Sequence, residues 1–135
     1  MDQTLVKAIN ELHLADGWVH LSTIGRDGGP HATPMMMGIH DEGLVFSLTG
    51  QQKKLNMQRD PRACVSISKP DTLAHVIVWG TMDIRHDEKA VQMWEDLLRN
   101  AFGEQGLKDR ARNLSFKGTS LGVLVPTRHR IYGIE

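Results

Sequence analysis

This 135-residue sequence has a single cysteine, few aromatic residues and no excess of charge of either sign. Its one cysteine, Cys64, excludes an intramolecular disulfide and a thiolate metal site, and indicates a reducing compartment. Sixteen basic residues balance sixteen acidic residues, which argues against a general nucleic-acid binder or a membrane-surface protein. Aromatic residues make up 5% of the chain, too few for a surface that stacks the bases of single-stranded nucleic acid.

Several functional motifs are missing as well. The sequence has neither a dinucleotide-binding GxGxxG fingerprint nor a Walker phosphate loop. The seven histidines show no paired ligand spacing, so we expect no metal site. A signal peptide and a long apolar run are also lacking. We therefore expect a soluble, cytoplasmic protein with a single domain over residues 1–135.

Residues 44–68 form the most informative stretch of the sequence. Apolar residues, a glycine and a helix-favouring segment follow one another there, and a proline at position 61 stops the helix because the residue before a proline disfavours the helical conformation. The pattern predicts a strand at 44–48, a turn at Thr49 and Gly50, a helix at Gln51–Arg59 and a second strand at 63–68.

Two lysines, Lys53 and Lys54, fall in the first turn of this predicted helix, where the helix dipole disfavours cations. Backbone N–H groups at a helix start, a glycine that permits close approach and two ammonium groups together suit a phosphate or carboxylate. A solvated helix start explains the same residues equally well.

The remaining pattern predicts short strands joined mostly by hairpins. Pro34 cannot donate a ladder hydrogen bond, so its strand should be an edge strand or carry a bulge. Residues 106–118 are polar, with weak periodicity, and favour a loop. We expect helices at 2–14 and from 87 to a terminator at Gly103, and strands at 18–24, 31–39, 74–85, 120–125 and 129–133. Six or seven antiparallel strands with flanking helices predict a mainly β protein, a small β-barrel.

Apolar residues on both faces of one strand indicate a further covering layer. Ile77 and Trp79 alternate with the apolar face of strand 74–85, and a partner subunit is one way to cover them. Met35, Met36 and Met37 have two interpretations: consecutive methionines usually fill irregular core space, but they could also floor a pocket for a flat ring. We expect at least one of the three in the core.

The sequence also resembles a known protein family. The run GWVHLSTIGRDGGPHATPMMMGIHDEGLVFSLTGQQKKLNMQRDPRACVSIS, continuing to HVIVWGTMDIRHD, resembles the pyridoxamine 5'-phosphate oxidase-like split β-barrel superfamily. Within it the chain is most similar to the small flavin- and deazaflavin-dependent oxidoreductases. The order and spacing carry the match: a threonine-bearing strand, a D-G turn followed by H-x-x-P, then K-x-x-N-x-x-x-D-P-R.

The resemblance implies an FMN-binding type of split barrel that forms a homodimer, with the cofactor at the interface. Lys53, three residues before Asn56, matches the family's phosphate-binding lysine. The implied cofactor-binding residues are Thr49, Gly50, Gln51, Gln52, Lys53 and Asn56 for the phosphate segment, and Pro34, Met35, Met36 and Met37 along the ring.

One departure bears on the cofactor. The oxidases carry S-R-K where this chain has Gln51-Gln52-Lys53, and glutamine cannot replace the bidentate charge of arginine. Relatives with a G-x-Q-K segment resemble users of the deazaflavin coenzyme F420, which we rank before FMN.

The function implied is an F420-dependent oxidoreductase that passes hydride to a small conjugated or unsaturated acceptor. The alternatives are an FMN-binding oxidase or flavin reductase, and a non-enzymatic protein that binds F420, haem or another tetrapyrrole. No general acid is assigned, although His31, Thr33 and Tyr132 are candidates.

Overall fold

Seven strands and three helices make up the part of the chain that the structure, a computed structural model, describes. It covers residues 1–12, 17–48, 51–113 and 120–134, and of residues 51, 53 and 110–113 it gives the backbone alone. The elements are α1 (Gln3–Leu12), β1 (Val19–Ile24), β2 (Pro30–Met35), β3 (Gly38–His40), β4 (Gly43–Leu48), α2 (Gln51–Arg59), β5 (Arg62–Ser68), β6 (His75–Arg85), α3 (Glu88–Asn113) and β7 (Ser120–Tyr132).

The strands form one sheet in the order β2-β1-β5-β6-β7-β4-β3. Every neighbouring pair is antiparallel. The two outermost strands, β2 and β3, are consecutive in the chain and are joined by Met36 and Met37. Three peptide units span at most about 11 Å, so the sheet must curl until its two edges lie close together. The mainly β fold class with flanking helices is confirmed.

Two apolar clusters lie on opposite faces of this curled sheet. The inner cluster joins strand residues such as Phe46 to Ile9 of α1 and Met57 of α2. The outer cluster joins Val45 of β4 to Trp94 and its neighbours on α3. Successive residues of a strand point to opposite faces, so β4 is buried on both sides. The helices therefore close the inner core and cover one part of the outer surface.

The strand predicted at 31–39 is interrupted, which corrects that prediction. β2 ends at Met35 and β3 begins at Gly38, so the two methionines between them form a linker. β2 pairs with β1 and is the edge strand that Pro34 predicted. The pattern of apolar residues continues through the linker, which is why periodicity alone missed the break.

The last two predicted strands are one continuous strand, β7, which is a second correction. Pro126 lies in the gap between the two predicted strands, but a bulge accommodates it: Trp79 pairs with Arg128, while Gly80 pairs with Pro126. The extra residue, Thr127, donates its hydroxyl to the Trp79 carbonyl at 3.2 Å. A Cβ at position 80 would lie 2.1 Å from a backbone carbonyl oxygen, so this close approach requires glycine.

The third helix extends further than its sequence predicted. Its first segment ends at Gly103, which has a positive φ of 75°, as a helix-terminating glycine does. A second helical segment then continues to Asn113, so the loop prediction is wrong for residues 106–113, and the rest of it lies outside the described residues. Leu107 is buried in the outer cluster and anchors this segment. None of the three helices is both long and apolar enough to cross a membrane.

Candidate functional site

A polar cleft lies between the β1–β2 turn and α2, and we call it the hairpin cleft. Its volume is about 420 Å³. The turn is shaped locally: the Gly25 N–H donates to the Gly29 carbonyl at 2.8 Å, and Gly28 adopts a φ of 83° that suits glycine. The residues lining the cleft are Gly25, Arg26, Asp27, Gly29, Pro30, His31, Gln52 and Asn56.

The base of this cleft is a buried amide. Asn56 is 1% exposed, and its Oδ1 accepts hydrogen bonds from Gln52 Nε2 at 2.8 Å and from Arg59 Nη2 at 3.4 Å. These bonds fix the amide along one face of α2, because residues three and four apart lie side by side on a helix. Two of the residues predicted from sequence, Gln52 and Asn56, therefore come together at the cleft.

The structure describes four of the predicted phosphate-segment residues only in part or not at all. Thr49 and Gly50 lie outside the described residues, as do the side chains of Gln51 and Lys53. The backbone places both Gln51 and Lys53 in the first turn of α2, as the sequence predicted. Their contacts with a phosphate stay a prediction.

The cleft also contains an arginine and a histidine that were not predicted as binding residues. Arg26 comes from the β1–β2 turn, and His31, considered above only as an acid, comes from the start of β2. In the sequence, Arg26 is distinguished by its place in a D-G turn. The side chains of such turns are commonly solvated, so this position does not by itself indicate a binding role. The fold brings it to α2 because β1 lies between β2 and β5, and α2 leads into β5.

A second, mostly apolar pocket lies at the other end of β2, and we call it the methionine pocket. Its volume is about 240 Å³. Met35 and Met37 are buried in the inner core at 8% and 5% exposure, which confirms the expectation that at least one methionine packs there. Met36 is half-buried and forms part of the wall. The lining comprises Asn10, Met36, Met37, Gly38, Ile39, Trp94, Leu97, Leu98, Asn100, Ala101 and Phe102.

Trp94 lines one side of the methionine pocket, and its indole N–H is enclosed by protein. Trp94 is 8% exposed, and its Nε1 has no hydrogen-bond partner in the described part of the chain. Leu97 approaches β3 closely because Gly38 has no side chain; a Cβ there would lie 2.1 Å from Leu97 Cδ2. The sequence indicated a pocket at the methionines as one of two interpretations, but it did not indicate the wall that α3 supplies.

The candidate acids are not assembled into one group. His31 lines the hairpin cleft, whereas Thr33 is half-buried further along β2. Tyr132 lies on β7, and its ring stacks on His75 with centroids 5.1 Å apart. The structure therefore favours none of them as a proton donor.

A serine–histidine pair elsewhere has a structural explanation. Residues 118–122 read G-T-S-L-G, and Ser120 Oγ lies 2.8 Å from His86 Nδ1. A nucleophile elbow places its serine in a tight turn from strand to helix. Ser120 instead begins β7 and is 1% exposed, so we interpret the pair as a structural hydrogen bond between this buried serine and the exposed His86.

The outer face of β5, β6 and β7 is apolar and basic around Trp79 and Arg128, whereas α3 covers the start of β7 at Leu121 and Val123. The guanidinium of Arg128 lies 4.1 Å from the Trp79 ring centroid. Ile77 and Trp79 are half-buried, and Cys64 pairs with Trp79 in register. Burial raises the pKa of the Cys64 thiol, which makes it a poor nucleophile.

Comparisons with known proteins agree with this architecture. The family model described as pyridoxamine 5'-phosphate oxidase matches residues 5–123. None of the curated proteins matches the sequence.

Three solved structures share the fold. An F420 reductase is 24% identical, with a TM-score of 0.66 over 90% of this chain and 94% of the other. A conserved hypothetical protein from Mycobacterium tuberculosis is 22% identical, with a TM-score of 0.77 over 97% and 84%. A haem-binding protein from Mycobacterium smegmatis is 19% identical, with a TM-score of 0.73 over 99% of this chain and 57% of the other. At such identities the likeness shows the fold alone.

Proposed function

Because the chain belongs to the pyridoxamine 5'-phosphate oxidase family and has its split β-barrel fold, we propose that it is an oxidoreductase that binds a phosphate-bearing cofactor of the flavin or deazaflavin type. We rank F420 first and FMN second. The proposed substrate is a small conjugated or unsaturated acceptor.

The observation that carries this proposal is the hairpin cleft. Arg26 brings a permanent positive charge and His31 an imidazole to the same cleft as the buried Asn56 amide. Lys53 lies on the first turn of the adjoining helix, whose N-terminal N–H groups favour anions. This donor set fits a phosphate, which accepts hydrogen bonds from charged and neutral donors alike.

The choice of F420 over FMN rests on the residues before Lys53. The side chain of Gln52 donates its Nε2–H to Asn56, so it lies along the helix, and it carries no charge in any orientation. A site of this kind lacks the arginine clamp of the FMN oxidases. When bound, reduced F420 supplies a hydride to an electron-poor acceptor, which takes up a proton from water as the cofactor is oxidised. The protein would hold the phosphate, orient the ring along β2 and exclude water.

Parallel titrations of the purified protein with F420 and with FMN test the proposal. We expect F420 to bind with a micromolar or tighter Kd and FMN to bind more weakly. Lys53→Ala should weaken F420 binding by about 1–3 kcal/mol, roughly 5- to 150-fold, if the ammonium group contacts phosphate. Lys54→Ala is the matched control, one position along α2, and should change the Kd by less than about twofold.

Each other outcome points to a defined alternative. Tighter binding of FMN would favour a flavin oxidase or reductase. F420 binding without turnover of any quinone, enone or tetrapyrrole would favour a binding protein, and so would binding of haem alone. An unchanged Kd in Lys53→Ala would reject the assigned phosphate site.

We also propose a homodimer that buries the outer face of β5, β6 and β7. The face presents Ile77 and Trp79, half-buried, beside the exposed Arg128, a mixture typical of interfaces. Sedimentation of the protein at micromolar concentration should give the mass of two chains. Ile77→Arg should shift it to one chain, whereas Leu73→Arg, at a position 79% exposed, should not. A monomeric wild type would contradict this part of the proposal.

A further inference from the structure

The methionine pocket is not needed for the phosphate, because it lies at the opposite end of β2. Pro30 and His31 line the hairpin cleft, and Met36 lines the pocket. Six residue steps of strand separate Pro30 from Met36, which corresponds to roughly 20 Å. Something other than the phosphate group must therefore explain a 240 Å³ cavity at this end.

We propose that the methionine pocket binds the electron acceptor, and that this acceptor is a flat, apolar molecule of about two fused rings that carries a carbonyl group. The inference rests on the proposed function, because it takes the cofactor ring to lie along β2, with Met36 at the end of that strand. A cavity of about 150 Å³ holds a single benzene ring, so 240 Å³ suits a bicyclic molecule.

The lining sets the chemistry of this ligand. Met36, Leu97 and Phe102 present thioether, aliphatic and aromatic groups, which favour a flat apolar body. No carboxylate or cationic side chain is among the lining residues, so a charged ligand would lose its hydration without gaining a counter-charge. The ligand is therefore neutral.

The accessible polar groups of the pocket are two side-chain amides. Asn10 on α1 and Asn100 on α3 line the pocket and are exposed, so they lie at its rim. Their amide N–H groups can donate to a ligand carbonyl.

Binding of two small molecules without cofactor tests the proposal. The first, 1-tetralone, is a bicyclic aryl ketone, and the second, tetralin, has the same rings without the carbonyl. Calorimetry should show 1-tetralone binding, with tetralin about 2- to 10-fold weaker, the usual worth of one neutral hydrogen bond. Asn10→Ala combined with Asn100→Ala should remove this difference. Lack of 1-tetralone binding, or a difference that persists in this double variant, would overturn the assignment.

Two variants that fill the pocket from opposite walls locate the ligand. Ala101→Phe on α3 and Met36→Trp on the linker should each weaken 1-tetralone binding at least about tenfold. Val91→Phe is the matched control, because Val91 is a partly exposed residue of α3 outside this pocket. Circular dichroism verifies that each variant is folded. Equal affinity in all three variants would place the ligand elsewhere.

A competition experiment separates this inference from the proposed function. With F420 saturating, 1-tetralone should still bind, because the two occupy different sites. If F420 displaces it, the pocket belongs to the cofactor ring and the acceptor assignment is wrong. If F420 does not bind at all while 1-tetralone does, the proposed function fails and the ligand class of the pocket stands.

Discussion

The two ends of β2 are built in opposite ways. At its start, the hairpin cleft gathers charged and amide groups from two short stretches, residues 25–31 and 52–56. At its end, the methionine pocket gathers uncharged groups from three parts of the chain, represented by Asn10, Met36 and Trp94. The first end carries charged side chains and is held by local hydrogen bonds, whereas the second has no charged side chain in its lining and is held by packing. Substitutions at the second end should therefore affect folding most.

The largest expected effect is at the methionine pocket. Trp94→Ala removes a nearly buried side chain of the outer cluster and should lower the free energy of unfolding by about 3–5 kcal/mol. Urea denaturation measures the change. Trp18→Ala is the control, because Trp18 is 67% exposed and its loss should cost less than about 0.5 kcal/mol. Similar effects in both variants would contradict the packing that we describe.

At the hairpin cleft, we expect the largest loss of stability when the buried amide of Asn56 is removed. Asn56→Ala leaves Gln52 and Arg59 without their shared acceptor and should lower the free energy of unfolding by about 1–3 kcal/mol. Gln52→Ala removes one exposed donor and should cost at most about 1 kcal/mol. A larger loss for Gln52 than for Asn56 would reverse our ranking of the two.

The β1–β2 turn should contribute less again. Gly28→Ala places a Cβ on a residue whose φ is 83°. Backbone strain opposes this substitution. Crowding does not, because nothing lies within 4 Å of the new atom. We expect a loss of about 1–2 kcal/mol in the free energy of unfolding. Gly28→Asn should lose less, since asparagine tolerates this region better than alanine. Equal stability of all three proteins would show that the turn is not held in this conformation.

The smallest effect depends on pH and lies where α2 meets β5. Arg62 donates to Asp60 at 2.6 Å and lowers the pKa of that carboxyl to about 2, from an ordinary value of 3.8. The folded state then binds fewer protons than the unfolded state, so this stabilisation is complete above the ordinary pKa and is lost as the pH falls to about 2. Because Arg62 is exposed and water screens the pair, we expect a small effect.

Urea midpoints at several pH values measure this effect. Arg62→Ala should lie below wild type at pH 6, and the gap should close near pH 2. The deficit of Trp94→Ala should persist across that range, because apolar packing does not titrate. A gap for Arg62→Ala that is constant with pH would disprove the electrostatic origin.

The sequence was sufficient for the features that local chemistry determines. Alternating apolar residues, the D-G turn and the proline after α2 predicted most strand and helix bounds. The family resemblance, and not local chemistry, implied that Gln52 and Asn56 belong to one site, and both line the hairpin cleft. Asp87 was correctly predicted to begin α3, and its Oδ1 accepts the Ala90 N–H at 2.9 Å.

The wrong predictions have one physical cause, namely contacts between residues that are far apart in the sequence. The break at Met36 and Met37 arises where the curled sheet brings its two edges together, and Pro126 continues β7 because Gly80, far away in sequence, allows a bulge. The helical segment after Gly103 is anchored by Leu107, an apolar residue within a polar stretch. Arg26 and Trp94 were missed for the same reason, since their roles depend on neighbours that only the fold supplies.

The position of β7 also has a consequence for synthesis on the ribosome. β7 lies between β6 and β4, so without it the sheet separates into a four-stranded piece, β2-β1-β5-β6, and the hairpin β4-β3. A nascent chain that has not yet released Ser120–Tyr132 can form both pieces but cannot join them. Both pieces then present an unpaired edge that invites pairing with other chains. We therefore expect translation arrested before β7 to yield a chaperone-bound intermediate rather than a partly active barrel.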